Sequence, residues 1–175
     1  SAKWLDSYAA ATRLQRRVPQ ARVVSVGDRE AGFYDLFERA VAEPGGAGLL
    51  VRAVHNRALL DECLGLKEWV ASRPVADVVD VRIPRRGASP ARTAAMELRY
   101  GSVTLLPPKG AKGRTAVRLQ AVHVVEQTPR KPGEPAEWFL LTTCPVENAE
   151  QACQIVQWYT RRWGIEVFHR VLKRG

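Results

Sequence analysis

The sequence contains few residues of the types that form metal knuckles or disulfide frameworks. Its 175 residues include only three cysteines and three histidines. Cys63, Cys144 and Cys153 are odd in number and widely spaced, which argues against both a disulfide framework and a zinc site. We therefore expect the three cysteines to be buried side chains that fill space in the core.

Long apolar runs are absent as well. No run approaches the roughly 20 apolar residues that a membrane-spanning helix needs. Residues 1–20 lack the apolar segment and the small-residue cleavage site of a signal peptide. The sequence therefore predicts a protein with no membrane partner, located in the cytoplasm.

Acidic residues are scarce relative to basic ones. The chain has 18 Asp and Glu against 27 Lys and Arg, a formal net charge of +9. Such an excess favours a polyanionic partner, because each phosphate contact releases condensed counterions from nucleic acid. A ribosomal protein, or a basic protein without such a partner, fits the same charge. The length and the 46% hydrophobic content predict one domain with a real core, with room for an insertion.

Hydrophobic patterning in the first 60 residues predicts an α/β arrangement. Predicted helices and predicted strands alternate, the helices at 3–17 and 30–42 and the strands at 22–26 and 48–54. Arg52 is the only charge inside the second strand, so it needs a partner. A DNA phosphate, a carboxylate beside the substrate or a structural salt bridge would each serve, and the salt bridge is the default.

Asp28 directly follows the first predicted strand, after Gly27. In open α/β sheets this edge carries ligands and catalytic groups, because its loops are free to vary while the sheet holds them in place. Asp28 also precedes a predicted helix, so capping of that helix is an equally good interpretation.

Residues 61–143 have a different character. After a short predicted helix at 61–71, the chain divides into strand-like pieces at 75–83, 93–105, 115–125 and 137–143. This pattern predicts an antiparallel sheet inserted into the α/β chain. Its loops are rich in Pro, Gly, Lys and Arg, which suits loops that reach over a phosphate backbone and suits solubility equally well. Trp138 opens the last strand, where stacking on an unpaired base and ordinary core packing are both open.

A long helix is predicted at the end of the sequence. At about 100° per residue, Tyr159, Arg162, Glu166 and Lys173 share one narrow face, and apolar residues cover the rest. A carboxylate among these groups would suit a site that holds a divalent cation and binds phosphates. The alternative is a solvated basic face with Glu166 paired to Arg162 or Arg170.

Taken together, these motifs resemble a known family. Residues 25–31 read Ser-Val-Gly-Asp-Arg-Glu-Ala, and far downstream Tyr159 is followed by Arg162, Glu166 and Lys173 with gaps of two, three and six residues. The chain resembles the bacterial insertion-sequence transposases of the DDE type, in the cut-and-paste branch named for that Y-R-E-K signature. Trp-Phe-Leu-Leu-Thr-Thr at 138–143 and the text of 158–169 are also similar to that family.

This resemblance implies a fold class and a function. The fold would be α/β, a partial ribonuclease H-like core with an inserted antiparallel β-rich subdomain. Residues 1–60 would form the first part of the core, 61–143 the insertion, and 144–175 the core helix with the signature. The chain would be an enzyme fragment that performs metal-dependent phosphoryl transfer, cleaving and joining transposon-end DNA. Its double-stranded partners would be transposon ends and target, in the bacterial cytoplasm at the nucleoid.

The resemblance also implies a role for each site residue. Asp28 and Glu166 would be the second and third acidic residues, which bind Mg²⁺, or alternatively Mn²⁺, and are catalytic. Seven other residues would contact DNA: phosphates for Tyr159, Arg162 and Lys173, a displaced base for Trp138 and Trp163, and unspecified parts of the DNA for Arg52 and Arg57.

The chain departs from the family pattern at both ends. Nothing in residues 1–20 supplies the strand that carries the first acidic residue, since Asp6 lies in a helical pattern. The sequence stops two residues after Lys173, without the segment through which the parent protein would dimerise on DNA. We therefore expect an incomplete metal site and weak activity. Two alternatives are a transposase relic that binds DNA without catalysis and a metal-dependent nuclease without strand transfer.

Overall fold

A computed structural model describes residues 2–85, 90–129 and 135–172, with side chains described as far as Gly164. The described chain forms helices α1 (Ala2–Arg17), α2 (Tyr34–Ala42), α3 (Leu66–Ala71) and α4 (Ala149–Leu172). Its strands are β1 (Val24–Gly27), β2 (Gly48–Arg52), β3 (Asp77–Ile83), β4 (Arg92–Leu105), β5 (Val117–Glu126) and β6 (Glu137–Thr142). None of the helices in these ranges combines the length and the apolar character needed to cross a membrane.

All six strands belong to one mixed sheet in the order β1-β2-β6-β5-β4-β3. β1 and β2 run parallel, with Val24 opposite Gly48, and every other neighbouring pair is antiparallel. The parallel pair requires a crossover, which the short 3₁₀ turn at Arg29–Ala31 and α2 provide. The fold class is therefore mixed α/β, and the strands of 61–143 pair in the antiparallel manner that their sequence predicts.

The predicted insertion shares its sheet with the rest of the chain. β6 hydrogen-bonds to β2, placing Leu141 opposite Val51, and so joins β3–β6 to the parallel pair. Leu49, Leu50 and Val51 are almost fully buried in β2, because this strand lies between two others and both of its faces are covered. The division at residues 60 and 143 remains a prediction from sequence.

Each face of the sheet has its own apolar core. Helices α1, α2 and α3 cover one face, and this core includes Tyr8, Phe37, Leu49, Leu66, Leu105 and Leu119. Helix α4 covers the other face, where the core includes Leu50, Leu98, Val122, Leu140, Ile155 and Tyr159. The alternation along each strand sends neighbouring side chains to opposite cores, and this places α4 beside the ends of β1 and β2.

Two predicted helices are shorter in the structure. The one predicted from residue 30 is interrupted at Gly32 and Phe33, where Phe33 is extended, and α2 begins only at Tyr34. The one predicted from Asp61 begins at Leu66, because Asp61 has a left-handed φ of 60° that a helix does not accept. Cys63 lies in the turn before α3 and is exposed, so the expectation that all three cysteines are buried was wrong.

His123 in β5 is a buried polar residue, 2% exposed. Its Nε2 is 2.7 Å from Glu137 Oε1, and its ring stacks on Phe139 at 4.4 Å between centroids. Burial lowers the pKa of His123, and although the Glu137 carboxylate opposes this shift, the net direction is downward. The folded protein therefore resists protonation of this ring.

We expect the free energy of unfolding of His123→Phe to fall less steeply than that of wild type as the pH is lowered from 7.5 to 5. Below about pH 6.5 the unfolded chain binds a proton at this histidine before the folded chain does, so wild-type stability falls as pH drops towards the folded pKa. One proton of difference changes the free energy of unfolding by about 1.4 kcal/mol per pH unit. Urea unfolding from pH 7.5 to 5 measures this slope. His55→Phe, which removes an exposed histidine, is the control, and equal slopes for the two variants would refute the prediction.

Candidate DNA and metal site

Asp28 lies at the carboxyl end of β1, as the sequence predicts. It occupies the capping position of the 3₁₀ turn with φ −88° and ψ −164°, but its side chain makes no capping hydrogen bond. The carboxylate is directed instead towards α4, on the other face of the sheet from α2. Capping therefore does not explain the Asp28 side chain.

Two residues of α4 meet the Asp28 carboxylate. The Tyr159 hydroxyl donates to Oδ1 at 3.3 Å, and Arg162 Nη2 lies 3.2 Å from Oδ2. Tyr159 is 1% exposed, whereas the side chain of Asp28 is 36% exposed and that of Arg162 is 19% exposed. Residues 131 positions apart in the chain thus form one polar cluster that is open to solvent at the carboxylate.

The spacing of the buried residues along α4 explains why Tyr159 and Arg162 contact Asp28. The helix begins after Asn148, whose side-chain oxygen accepts a hydrogen bond from the backbone N–H of Gln151 at 2.9 Å. It then buries residues at a spacing of three and four, namely Ala152, Ile155, Val156 and Tyr159. Position 166 is four residues after Arg162 and so shares its helix face. The side chain of Glu166 and the whole of Lys173 lie outside the described part of the chain.

Arg52 joins the cluster from the end of β2. Its Nη2 donates to the Glu137 carbonyl at 3.2 Å, and its positive charge lies close enough to the Tyr159 hydroxyl to lower the pKa of that group. Among the described residues, the partner of this half-buried arginine is a backbone carbonyl, and the structural salt bridge expected by default is not formed there.

The Tyr159 hydroxyl remains protonated in this cluster. Burial raises the pKa of Tyr159, the negative charge of Asp28 raises it further, and the Arg52 and Arg162 charges lower it by less. A protonated hydroxyl donates to the carboxylate, which fixes the Asp28 rotamer. The Asp28 carboxylate thus contacts two groups of α4, the Tyr159 hydroxyl and the Arg162 guanidinium.

The two tryptophans with predicted base contacts pack against this cluster. The Trp138 ring centroid lies 5.4 Å from that of Trp163 in an edge-on arrangement and 6.0 Å from that of Tyr159 in a tilted one. Trp138 is 6% exposed, so it forms part of the core under α4. Trp163 is half-buried and lines an open cleft of about 300 Å³ together with Arg82 and Arg161.

Arg57 lies away from the Asp28 carboxylate. Its Nη2 donates to the Gly32 carbonyl, and its guanidinium lies over the Phe37 ring at 5.5 Å. Burial lowers the pKa of Arg57. Arg57 thus ties the loop after β2 to the turn that follows Asp28, a positioning role that the sequence did not indicate.

The basic loop between β4 and β5 is held by α2. The Tyr34 hydroxyl lies 3.1 Å from the Leu105 carbonyl and 2.7 Å from the Thr115 carbonyl, one on each side of the loop. Arg114 pairs with Asp35 and Glu38, so its charge is used within the protein. Lys109 and Lys112 remain exposed at the tip, available to an anion.

The described side chains supply part of a site for a hard cation. Asp28 offers one accessible carboxylate, and carboxylate oxygens are the ligands that Mg²⁺ and Mn²⁺ prefer. Among the residues whose side chains are described, no group of three or more His, Cys, Asp or Glu is placed to hold a metal ion. A single carboxylate does not make a metal site, so binding of such an ion would depend on further ligands, of which the sequence motif offers Glu166.

The chain matches no protein-family model. The resemblance to DDE transposases therefore remains a prediction from the sequence motifs.

Gly27 limits how the backbone before Asp28 can be substituted. A Cβ at this buried position would collide with the Cβ of Ala31, in the 3₁₀ turn, and would lie 3.3 Å from Val51 Cγ1. We expect Gly27→Ala to lower the free energy of unfolding by about 1–3 kcal/mol, because neither backbone segment can move away cheaply.

The displacement should also move Asp28 away from Arg162. Denaturant unfolding measures the stability. Gly164→Ala in α4 is the control, since an added Cβ there meets no atom of the described chain within 4 Å apart from its own helix backbone and chain neighbours. The control is expected to gain up to about 1 kcal/mol from helix propensity. A Gly27→Ala protein as stable as wild type would show that this contact is not tight.

Proposed function

We propose that this chain belongs to the catalytic part of a DDE-type DNA transposase, with a ribonuclease H-like core, which cleaves and joins transposon-end DNA. The observation that carries the proposal is the meeting of Asp28, Tyr159 and Arg162 at the carboxyl end of β1. The sequence motifs select the same three residues without reference to the fold. A net charge of +9 adds support for a polyanionic substrate.

Asp28 and Glu166 would hold Mg²⁺ or Mn²⁺ under this proposal. When bound, such an ion activates the attacking oxygen and stabilises the leaving oxygen of a phosphodiester in an in-line displacement. The protein residues would position that chemistry. Tyr159 donates to the Asp28 carboxylate and so holds it towards the cluster.

Arg162 would change partner when metal and DNA bind. In the structure its guanidinium balances the Asp28 charge at 3.2 Å. A cation bound to Asp28 would repel Arg162, and a phosphate oxygen is the partner of opposite charge that DNA brings to the site. Arg52, whose charge also acts on the Tyr159 hydroxyl, would meet the same DNA strand.

Metal-dependent DNA binding tests this proposal. Fluorescence anisotropy of a labelled transposon-end duplex would be measured with EDTA and with Ca²⁺, a cation that binds carboxylates without supporting rapid cleavage. We expect tighter binding with Ca²⁺ in wild type, no such gain in Asp28→Asn or Glu166→Gln, and weaker binding under both conditions in Arg162→Gln. An equal gain in wild type and Asp28→Asn would refute the assignment.

Strand cleavage provides the second readout. In Mn²⁺ we expect weak nicking near the transposon end, lost in Asp28→Asn and in Glu166→Gln. Joining of the cut end to a target duplex would separate a transposase from a nuclease of the ribonuclease H type. Nicking that persists unchanged in both variants would place the reaction elsewhere on the protein or in a contaminant.

A non-catalytic DNA-binding protein is the second candidate. The ion pair between Asp28 and Arg162 favours it, because a carboxylate whose charge is already balanced needs no metal. Under that function, Asp28→Asn would leave DNA affinity unchanged with and without Ca²⁺, and a binding-only protein would show no nicking in Mn²⁺. The two candidates thus give opposite results in the same titration.

A further inference from the structure

A second cleft lies at the opposite end of the parallel strands from Asp28. It encloses about 680 Å³, and its walls are the loops that precede β1 and β2 and the turn that follows β6. Arg22 lines it six residues before Asp28, which corresponds to about 20 Å of extended chain at about 3.3 Å per residue. One phosphate group therefore cannot contact both places.

Hydrogen bonds within the protein hold the walls of this cleft in place. Gln15 accepts from the Val23 backbone N–H and donates to the Ala21 carbonyl, both at 2.8 Å, which fixes the loop before β1. On the other side, the Tyr8 hydroxyl donates to the Ala47 carbonyl at 2.8 Å, and Thr12 Oγ1 accepts from the Ala47 N–H at 3.2 Å. Binding here would require little ordering of the protein.

The charge of the cleft is positive. Its carboxylate, Glu43, is already contacted by Arg16 at 2.6 Å and by Arg39 at 2.9 Å. Arg22 is exposed at the rim and forms no hydrogen bond or ion pair with any other residue that the structure describes. Arg17 is likewise exposed, on the last turn of α1, and extends the basic surface beyond the cleft.

We propose that this cleft and the arginines beside it, which we call the α1 arginine cleft, bind the phosphate backbone of a DNA duplex. The inference rests on the proposed function for the choice of DNA. Guanidinium groups match phosphate oxygens in pairs, and an open, polar cleft suits a polyanion better than an apolar small molecule. The protein then has two DNA-contacting regions, one at each end of β1.

The salt dependence of DNA binding tests the α1 arginine cleft. The variants are Arg22→Gln and Arg17→Gln/Arg22→Gln. The matched control is Arg73→Gln, at an exposed arginine just after α3, which packs on β4 and β5 rather than beside the cleft. Each lost phosphate contact lowers the slope of log affinity against log salt by about 0.9, so we expect decreases of about one and about two units. The control is expected to keep the wild-type slope. A wild-type slope in Arg22→Gln would overturn the proposal.

Chemical protection locates the contact independently. Phenylglyoxal modifies accessible arginines, and mass spectrometry reads each position. We expect a 30-base-pair duplex to protect Arg17 and Arg22 while a mononucleotide does not. Protection by the mononucleotide alone would indicate a small-ligand site instead, and no protection by either would overturn the proposal.

The catalytic assignment of Asp28 and the second DNA contact can each fail without the other. If the Ca²⁺-dependent gain in affinity is absent but the duplex protects Arg22, the α1 arginine cleft stands and the catalytic assignment of Asp28 fails. If the gain depends on Asp28 but Arg22 reacts equally with and without DNA, the catalytic assignment stands and the second contact fails.

Discussion

Asp28→Asn should abolish binding of a lanthanide that replaces Mg²⁺. Tb³⁺ prefers oxygen ligands and luminesces when a nearby tryptophan transfers energy to it. Tyr159 contacts Asp28 directly, and Trp138 and Trp163 lie within about 6 Å of the Tyr159 ring, so wild type should show sensitised emission. Removing a residue that only hydrogen-bonds to a metal ligand lowers metal affinity by about 10- to 100-fold. Removing the ligand itself should lower the affinity for Tb³⁺ by at least as much.

Glu30→Gln is the matched control for this titration. It removes one carboxylate two residues from Asp28, on an exposed side chain that pairs with Lys3 at 2.8 Å. We expect its Tb³⁺ affinity to equal that of wild type, and Mg²⁺ should compete for the ion in both proteins. Equal emission from Asp28→Asn and wild type would mean that the ion binds somewhere else.

Trp138→Ala should cause the largest loss of stability among the residues of the site. Its side chain is 6% exposed and packs on Tyr159 and Trp163 under α4. Truncation of a buried tryptophan costs about 3–5 kcal/mol, because it removes apolar contacts and leaves a cavity. Urea unfolding with a constant m value measures the change.

Trp163→Ala and Trp138→Phe complete this experiment. Trp163 is only half-buried, so its truncation should cost less than that of Trp138. Trp138→Phe keeps an aromatic ring in the core and should retain most of the stability and the wild-type DNA affinity. If Trp138→Phe instead keeps its stability and loses DNA affinity, Trp138 stacks on a base when DNA binds.

The sequence was sufficient to predict the parts of the site that depend on short-range patterns. A strand that ends at Asp28 and a helix whose period places Tyr159 and Arg162 on one face are both local features, and the structure contains both. The contact between this strand end and this helix, in contrast, joins residues that are far apart in the sequence. It follows from the packing of α4 on the sheet, where Tyr159 is buried beside β1 and β2.

Other features could not be read from local patterns. Pairing of β6 with β2 joins the predicted insertion to the core sheet, and strand partners far apart in sequence leave no periodic signal. The internal roles of Arg57 and Arg114 were missed for a similar reason, since each finds its partners on another element. A basic residue in a loop looks the same in sequence whether it binds DNA or the protein itself.

We propose that Asp28 and Glu166 hold one divalent-cation site. An anomalous difference map from a crystal of the protein soaked in Mn²⁺ would locate the bound ion. We predict a peak about 2.0–2.3 Å from an Asp28 carboxylate oxygen, with Glu166 bound to the same ion or to an adjacent one and Arg162 moved away from Asp28. A map without that peak, in which Arg162 remains paired to Asp28 and Glu166 is directed elsewhere, would contradict the account.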